Sequence, residues 1–143
     1  MLNIRTRIII VRTIKNWEYF MPVPELSLVS LFVQDPLKSA VFYSRILGLQ
    51  PVEQSATFVL FVLPKGVMLG LWSPKTAAPD VVAFAGSSEI SFQEEDVDSV
   101  YEEWVKLGVT IAHIPTDMDF GRTFLALDPD GHRIRIYRLH EES

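Results

Sequence analysis

Apolar and polar positions alternate, cluster and break along the chain so as to outline short elements that come twice in the same order. The first is Leu26–Val33, whose pattern Leu-Ser-Leu-Val-Ser-Leu-Phe-Val predicts a strand. Asp35 then supplies an N-cap and Pro36 a first helical residue. Leu37, Ala40, Val41, Tyr43, Ile46 and Leu47 form a helical stripe that Gly48 closes as a C′ glycine. Three strand-like runs follow: Leu49–Glu53, Thr57–Leu63 and Val67–Trp72. Pro64-Lys65-Gly66 turns the last two into a hairpin. Residues 73–86, with Pro74, Pro79 and small side chains, predict a linker.

The second unit opens with the strand Ser88–Gln93. Asp96 caps a helix whose apolar positions are Val97, Val100, Tyr101, Trp104, Val105 and Leu107, and Gly108 ends it. A strand at Val109–Ile114, a loop at Met118–Gly121 and strands at Thr123–Leu127 and Arg133–Leu139 complete it. Asp128-Pro129-Asp130-Gly131 is a strong turn signal between the last two. The prediction is an α+β domain of two βαβββ repeats, about 26–72 and 88–139. Together they form a curved mixed sheet around a central cavity, with helices outside. Residues 25–143 make up this domain. Residues 1–24, ending at Pro22-Val23-Pro24, form an appendage that reads equally as an extra edge strand (Ile8–Val11), as a leader, or as residues ahead of the true start.

The chain has 143 residues, 48% hydrophobic and 22% charged, an ordinary globular composition that excludes a disordered chain. With no cysteine, disulfides, thiolate catalysis and cysteine-based metal sites are excluded. Residues 1–24 hold four bases and one acid, whereas the remainder holds nine bases and seventeen acids. So acidic a body argues against a nucleic-acid partner. No apolar run reaches the ~18 residues of a membrane span, so no membrane partner is expected and the cytoplasm is the expected location.

Five motifs in order carry a family resemblance. They are Leu28-Val29-Ser30-Leu31-Phe32-Val33-Gln34-Asp35, Ala40-Val41-Phe42-Tyr43, Leu47-Gly48-Leu49, Ile90-Ser91-Phe92 before Asp96-Val97-Asp98, and Leu127-Asp128-Pro129-Asp130-Gly131-His132. Over about residues 26–138 the chain resembles the vicinal oxygen chelate superfamily: glyoxalase I, extradiol dioxygenases, fosfomycin-resistance transferases and bleomycin-binding proteins. Leu69-Gly70-Leu71-Trp72-Ser73 and Asp119-Phe120-Gly121-Arg122-Thr123-Phe124 further resemble its branch that binds phenazine-type antibiotics. In metal-using members the resemblance implies one ligand from each of four strands, and here those positions hold Leu28, Gly70, Glu89 and Arg135. Leu28 and Gly70 offer no donor, and Arg135 is a permanent cation. Glu89 alone can ligate, whereas a catalytic metal generally takes three protein ligands. No metal and no cofactor are therefore expected.

Period-two alternation extends the inward set. Leu28 shares a face with Ser30 and Phe32, Gly70 with Trp72, Glu89 with Ser91, and Arg135 with Arg133 and Tyr137. Gly70 removes bulk and Trp72 adds a flat wall. Glu89 and Arg135 pair across the cavity or grip a polar ligand from opposite sides. Phe58 rather than Phe61 is expected to face inward, and Met118 and Phe120 flank a lid-like loop. The expected ligand-binding residues are Leu28, Ser30, Phe32, Phe58, Gly70, Trp72, Glu89, Phe120, Arg135 and Tyr137, with no catalytic residue. His132 is expected in water, in its turn, and Trp104 in the core.

The leading expectation is a metal-free protein that sequesters a planar aromatic, phenazine-like molecule, as in antibiotic resistance. The alternative is a metal-dependent lyase or dioxygenase of glyoxalase type, and a third reading uses Glu89 as a base without metal. The resemblance implies a homodimer whose cavity walls come from both chains. A cavity closed within one chain stays open as well.

Overall fold

The computed structural model describes residues 23–82, 85–86 and 88–141. The appendage expected over residues 1–24 thus lies, but for Val23 and Pro24, outside the described residues. The strands are β1 (Leu28–Phe32), β2 (Glu53–Gln54), β3 (Phe58–Val62), β4 (Met68–Trp72), β5 (Glu89–Gln93), β6 (Thr110–Met118), β7 (Gly121–Leu127) and β8 (Arg133–Leu139). Helix α1 (Pro36–Leu47) follows β1, and α2 (Val97–Lys106) follows β5. Both units therefore run βαβββ, and the fold is α+β.

Capping fixes both helices where the sequence placed them. Asp35 Oδ1 accepts from the Lys38 amide (3.2 Å) and Asp96 Oδ1 from the Ser99 amide (3.0 Å). Gly48 takes the left-handed conformation (φ 66°) that ends α1, where its amide donates to the Ser44 carbonyl. The strand after α1 is reduced from the expected Leu49–Glu53 to Glu53–Gln54. Pro51 has no N–H to give, so the ladder with β3 begins beyond it, at the Val52 amide. β6 runs longer than expected, because two register shifts carry this edge strand past Pro115.

The curved sheet is divided into two four-stranded sheets, ordered β1-β4-β3-β2 and β5-β8-β7-β6, with no closed barrel. β1 and β5 are each the outer strand of their own sheet, parallel to β4 and β8, and no ladder joins them. Each helix covers one face of its sheet. Leu31, Val59, Phe61, Leu69 and Leu71 lie under α1, and Phe124, Ala126, Ile134 and Ile136 under α2, within one core shared with Tyr43, Val97 and Trp104. Among the described residues no helix is long and apolar enough to cross a membrane.

A polar clasp joins the units. Tyr43 Oη donates to Asp128 Oδ2 (2.8 Å), and Asp130 accepts from the Gln34 amide (2.9 Å) and Ser39 Oγ (3.3 Å). His132, expected in water, is buried instead, its Nε2 2.8 Å from the Phe32 carbonyl. The turn is responsible: it packs onto the end of β1 and the start of α1 rather than projecting.

Candidate functional site

Each sheet keeps one face free of its helix, and alternation assigns the side chains to it. On the first sheet these are Leu28, Ser30 and Phe32 of β1, Gly70 and Trp72 of β4, and Phe58 of β3. Phe32 stacks on Trp72 (centroids 5.8 Å, planes 26°), and Phe58 meets Trp72 edge-on (6.1 Å, 83°). Trp72 Nε1 donates to Thr76 Oγ1 (3.1 Å), which satisfies its only donor and holds the indole in place. All three rings remain half-buried, and Leu28 and Val62 at the margins are exposed. Phe58 lies on this open face, while Phe61 is fully buried on the other.

Gly70 does not leave free space. A Cβ at this position would lie 3.1 Å from Phe58 Cε2 and 3.3 Å from Ser30 Oγ. The absent side chain lets the Phe58 ring settle across β4, so the room read from sequence is taken by an aromatic edge.

On the second sheet the free face holds a shallow, open hollow of about 390 Å³. It is lined by Glu89, Ser91, Met118, Phe120, Arg135 and Tyr137. Its volume falls within the range of small-molecule sites. Phe120 and Tyr137 meet edge to face (6.4 Å, 77°) and form its aromatic side. Glu89 and Arg135 do pair, but on neighbouring strands of one sheet rather than from opposite sides of a cavity. The register sets Glu89 opposite Arg133 and Ser91 opposite Arg135. Arg135 Nε lies 3.2 and 3.3 Å from the two Glu89 oxygens, and Arg133 Nε 3.4 Å from Oε2. Arg135 Nη1 donates to Thr123 Oγ1 (3.1 Å), and that buried hydroxyl donates to the Ile136 carbonyl (2.8 Å). The Arg135 guanidinium is therefore anchored through two of its three nitrogens.

Of the ten residues the sequence singled out, the structure gathers Glu89, Phe120, Arg135 and Tyr137 around the hollow. Ser30, Phe32, Phe58, Gly70 and Trp72 gather on the other open face, with Leu28 at its edge. The hollow's lining comes from the second unit alone. Sequence reasoning gave Ser91, Arg133 and Met118 no place among the binding residues, although alternation put the first two on the right face. Thr123 was read only as part of a motif and as the start of a strand, because its role comes from the register between β7 and β8. A larger groove of about 820 Å³ follows the seam between the units, over Leu47, Leu63, Val67, Phe92 and Trp104.

The four positions that would hold a metal do not suit one. Leu28 and Gly70 stand on one sheet, Glu89 and Arg135 on the other, and the single carboxylate among them is already engaged by two guanidinium groups. Among the described residues no three His, Cys, Asp or Glu side chains group to hold a metal ion.

Beneath the second open face, Arg122 fastens the β6–β7 hairpin to α2. Its Nε and Nη2 reach Asp98 at 2.6 and 2.8 Å, and its Nη1 reaches Asp117 at 3.2 Å. These bonds hold the Asp98 carboxyl below the usual carboxylate range and raise the Arg122 guanidinium further. The hairpin carries Met118 and Phe120, so this pair sets where that side of the hollow stands.

Comparison with known proteins follows the same outline. The sequence model of the Glyoxalase/Bleomycin resistance protein/Dioxygenase superfamily matches residues 25–136. A phenazine antibiotic resistance protein, EhpR, of Enterobacter agglomerans is 33% identical over 121 residues, 81% of this chain and 92% of that protein. The solution structure of protein ATC0852 from Agrobacterium tumefaciens is 40% identical, with a TM-score of 0.75 over 83% of this chain and 100% of that one. A glyoxalase/bleomycin resistance protein/dioxygenase from Nocardioides shares the fold at 20% identity, with a TM-score of 0.74 over 96% of this chain and 95% of that one.

Proposed function

This chain belongs to the glyoxalase/bleomycin resistance protein/dioxygenase superfamily, and from that premise we propose that it binds a planar aromatic molecule without a metal and acts by sequestering it, as in antibiotic resistance. The observation that carries this reading is the exchange of chemistry at the four ligand positions. Donors are missing from three of them, while the surrounding faces present Trp72, Phe32 and Phe58 on one sheet and Phe120 and Tyr137 on the other. Offset and edge-on contacts with such rings contribute about 0.5–1.5 kcal/mol each beyond the apolar area they bury. The 33% identity to a phenazine antibiotic resistance protein supports a fused, flat ring system as the ligand class.

The two open faces call for a second copy of the chain. A homodimer that sets the Trp72 wall of one protomer over the Arg135 hollow of its partner encloses a flat ligand between aromatic surfaces, and each protomer contributes to two sites. We place its action in the cytoplasm.

Titration with phenazine, followed by tryptophan fluorescence, tests the proposal. Saturable quenching in the wild type is the expected result, with the affinity measured by titration calorimetry weakened at least ~5-fold in Trp72→Ala. Trp17 and Trp104 remain in this variant, so the quenching that disappears with the substitution is the share Trp72 contributes. Stoichiometric zinc, nickel, manganese or iron in the purified protein, with no response to any planar aromatic, would contradict it.

A further inference from the structure

The proposed binding site carries a charge that a purely aromatic ligand does not explain. Two guanidinium groups, Arg133 and Arg135, share the single carboxylate of Glu89 on this face. The outcome is one surplus positive charge on a body that is otherwise acidic. Arg135 is the more enclosed of the two, its side chain only 18% exposed against 40% for Arg133. Its Nε and Nη1 are taken up by Glu89 and Thr123, whereas its Nη2 has no hydrogen-bond partner among the described residues. The hydroxyls of Ser91 and Tyr137, which line the same hollow, likewise have none.

A guanidinium withdrawn from water, with a nitrogen left to donate, is a poor feature of a neutral apolar slot. It is a good one for an anionic group, since hydrogen bonds between ions are shorter and stronger than neutral ones. We propose that the site selects planar aromatic molecules bearing a carboxylate. The carboxylate binds Arg135 Nη2 and the free hydroxyls of Ser91 and Tyr137, while the ring lies against Phe120. The Glu89 and Thr123 contacts serve to hold Arg135 in position, so that little side-chain order is lost on binding. This inference rests on the aromatic-binding reading and narrows its ligand.

The test compares phenazine-1-carboxylate, its neutral carboxamide and unsubstituted phenazine on the full-length protein, by fluorescence titration at low and high salt. The carboxylate is expected to bind about 10-fold tighter than the carboxamide at low salt, with the gap narrowing as salt rises. In Arg135→Gln the gap between carboxylate and carboxamide is expected to shrink to ~2-fold. Thermal denaturation establishes that this variant folds, and the wild-type comparison stands without it. Equal affinities for carboxylate and carboxamide would overturn the charge selectivity and leave the aromatic reading standing. Failure of all three compounds to bind would overturn both.

Discussion

Tyr43 shows how one side chain ties chemistry to architecture. It sits on the inner stripe of α1, fully buried, and its hydroxyl crosses between units to Asp128, which also accepts from the Asp130 and His132 amides. Burial, and then the neighbouring carboxylate, push the Tyr43 phenol far above its ordinary range. A group whose folded-state pKa is raised contributes stability that is complete below its unfolded pKa and lost as pH climbs beyond it. Thermal stability is therefore expected to fall as pH passes about 10, where an unfolded tyrosine ionises. Tyr43→Phe should flatten that alkaline slope. At neutral pH it should also cost about 1–3 kcal/mol by leaving Asp128 short of a donor. Denaturant titrations at pH 7 and at alkaline pH check both, and an unchanged slope in the variant would refute the assignment.

Among elements, the β6–β7 hairpin is the one whose position matters most for the hollow. Its link to α2 is the bidentate Arg122–Asp98 pair, with the Asp98 side chain half exposed. The Asp98 carboxyl is depressed, so its contribution is present above the ordinary carboxylate range and disappears as pH falls below it. Asp98→Asn is expected to lower stability by about 0.2–1 kcal/mol at pH 7. Its effect should shrink as pH falls below the ordinary carboxylate range, a difference readable from melting curves at neutral and acid pH. The same hairpin marks the limit of what sequence conveys. The helices were legible because Asp35, Asp96, Gly48 and Gly108 punctuate them. The open faces were legible because strands alternate. The strand expected over Val109–Ile114 and the loop expected over Met118–Gly121 were both misplaced: β6 runs on past Pro115 to Met118 through two register shifts, and the turn shrinks to Asp119-Phe120. Space at Gly70 was misread for a similar reason: alternation says where a side chain is absent, but only the β3–β4 register shows that Phe58 fills the gap.

The whole molecule is two copies of one unit that share a core yet keep their open faces apart. The clasp of Tyr43, Asp128, Asp130 and His132 holds the units by their helix sides, and the aromatic wall and the charged hollow are carried on separate sheets. Their separation was not legible, because a repeat in sequence specifies each unit and says little about how the units meet. The protein is therefore expected to run in analytical ultracentrifugation at twice the mass of its chain. A strict monomer at micromolar concentration would remove the shared site.

The most direct measurement is a crystal structure of the protein with a phenazine bound. The flat ring system is expected within about 4 Å of Trp72 and Phe32 from one protomer and of Phe120 and Tyr137 from its partner, with no metal between them. A cation held by three or more side chains at Leu28, Gly70, Glu89 and Arg135 or their neighbours, or a ring lodged elsewhere on the molecule, would contradict it.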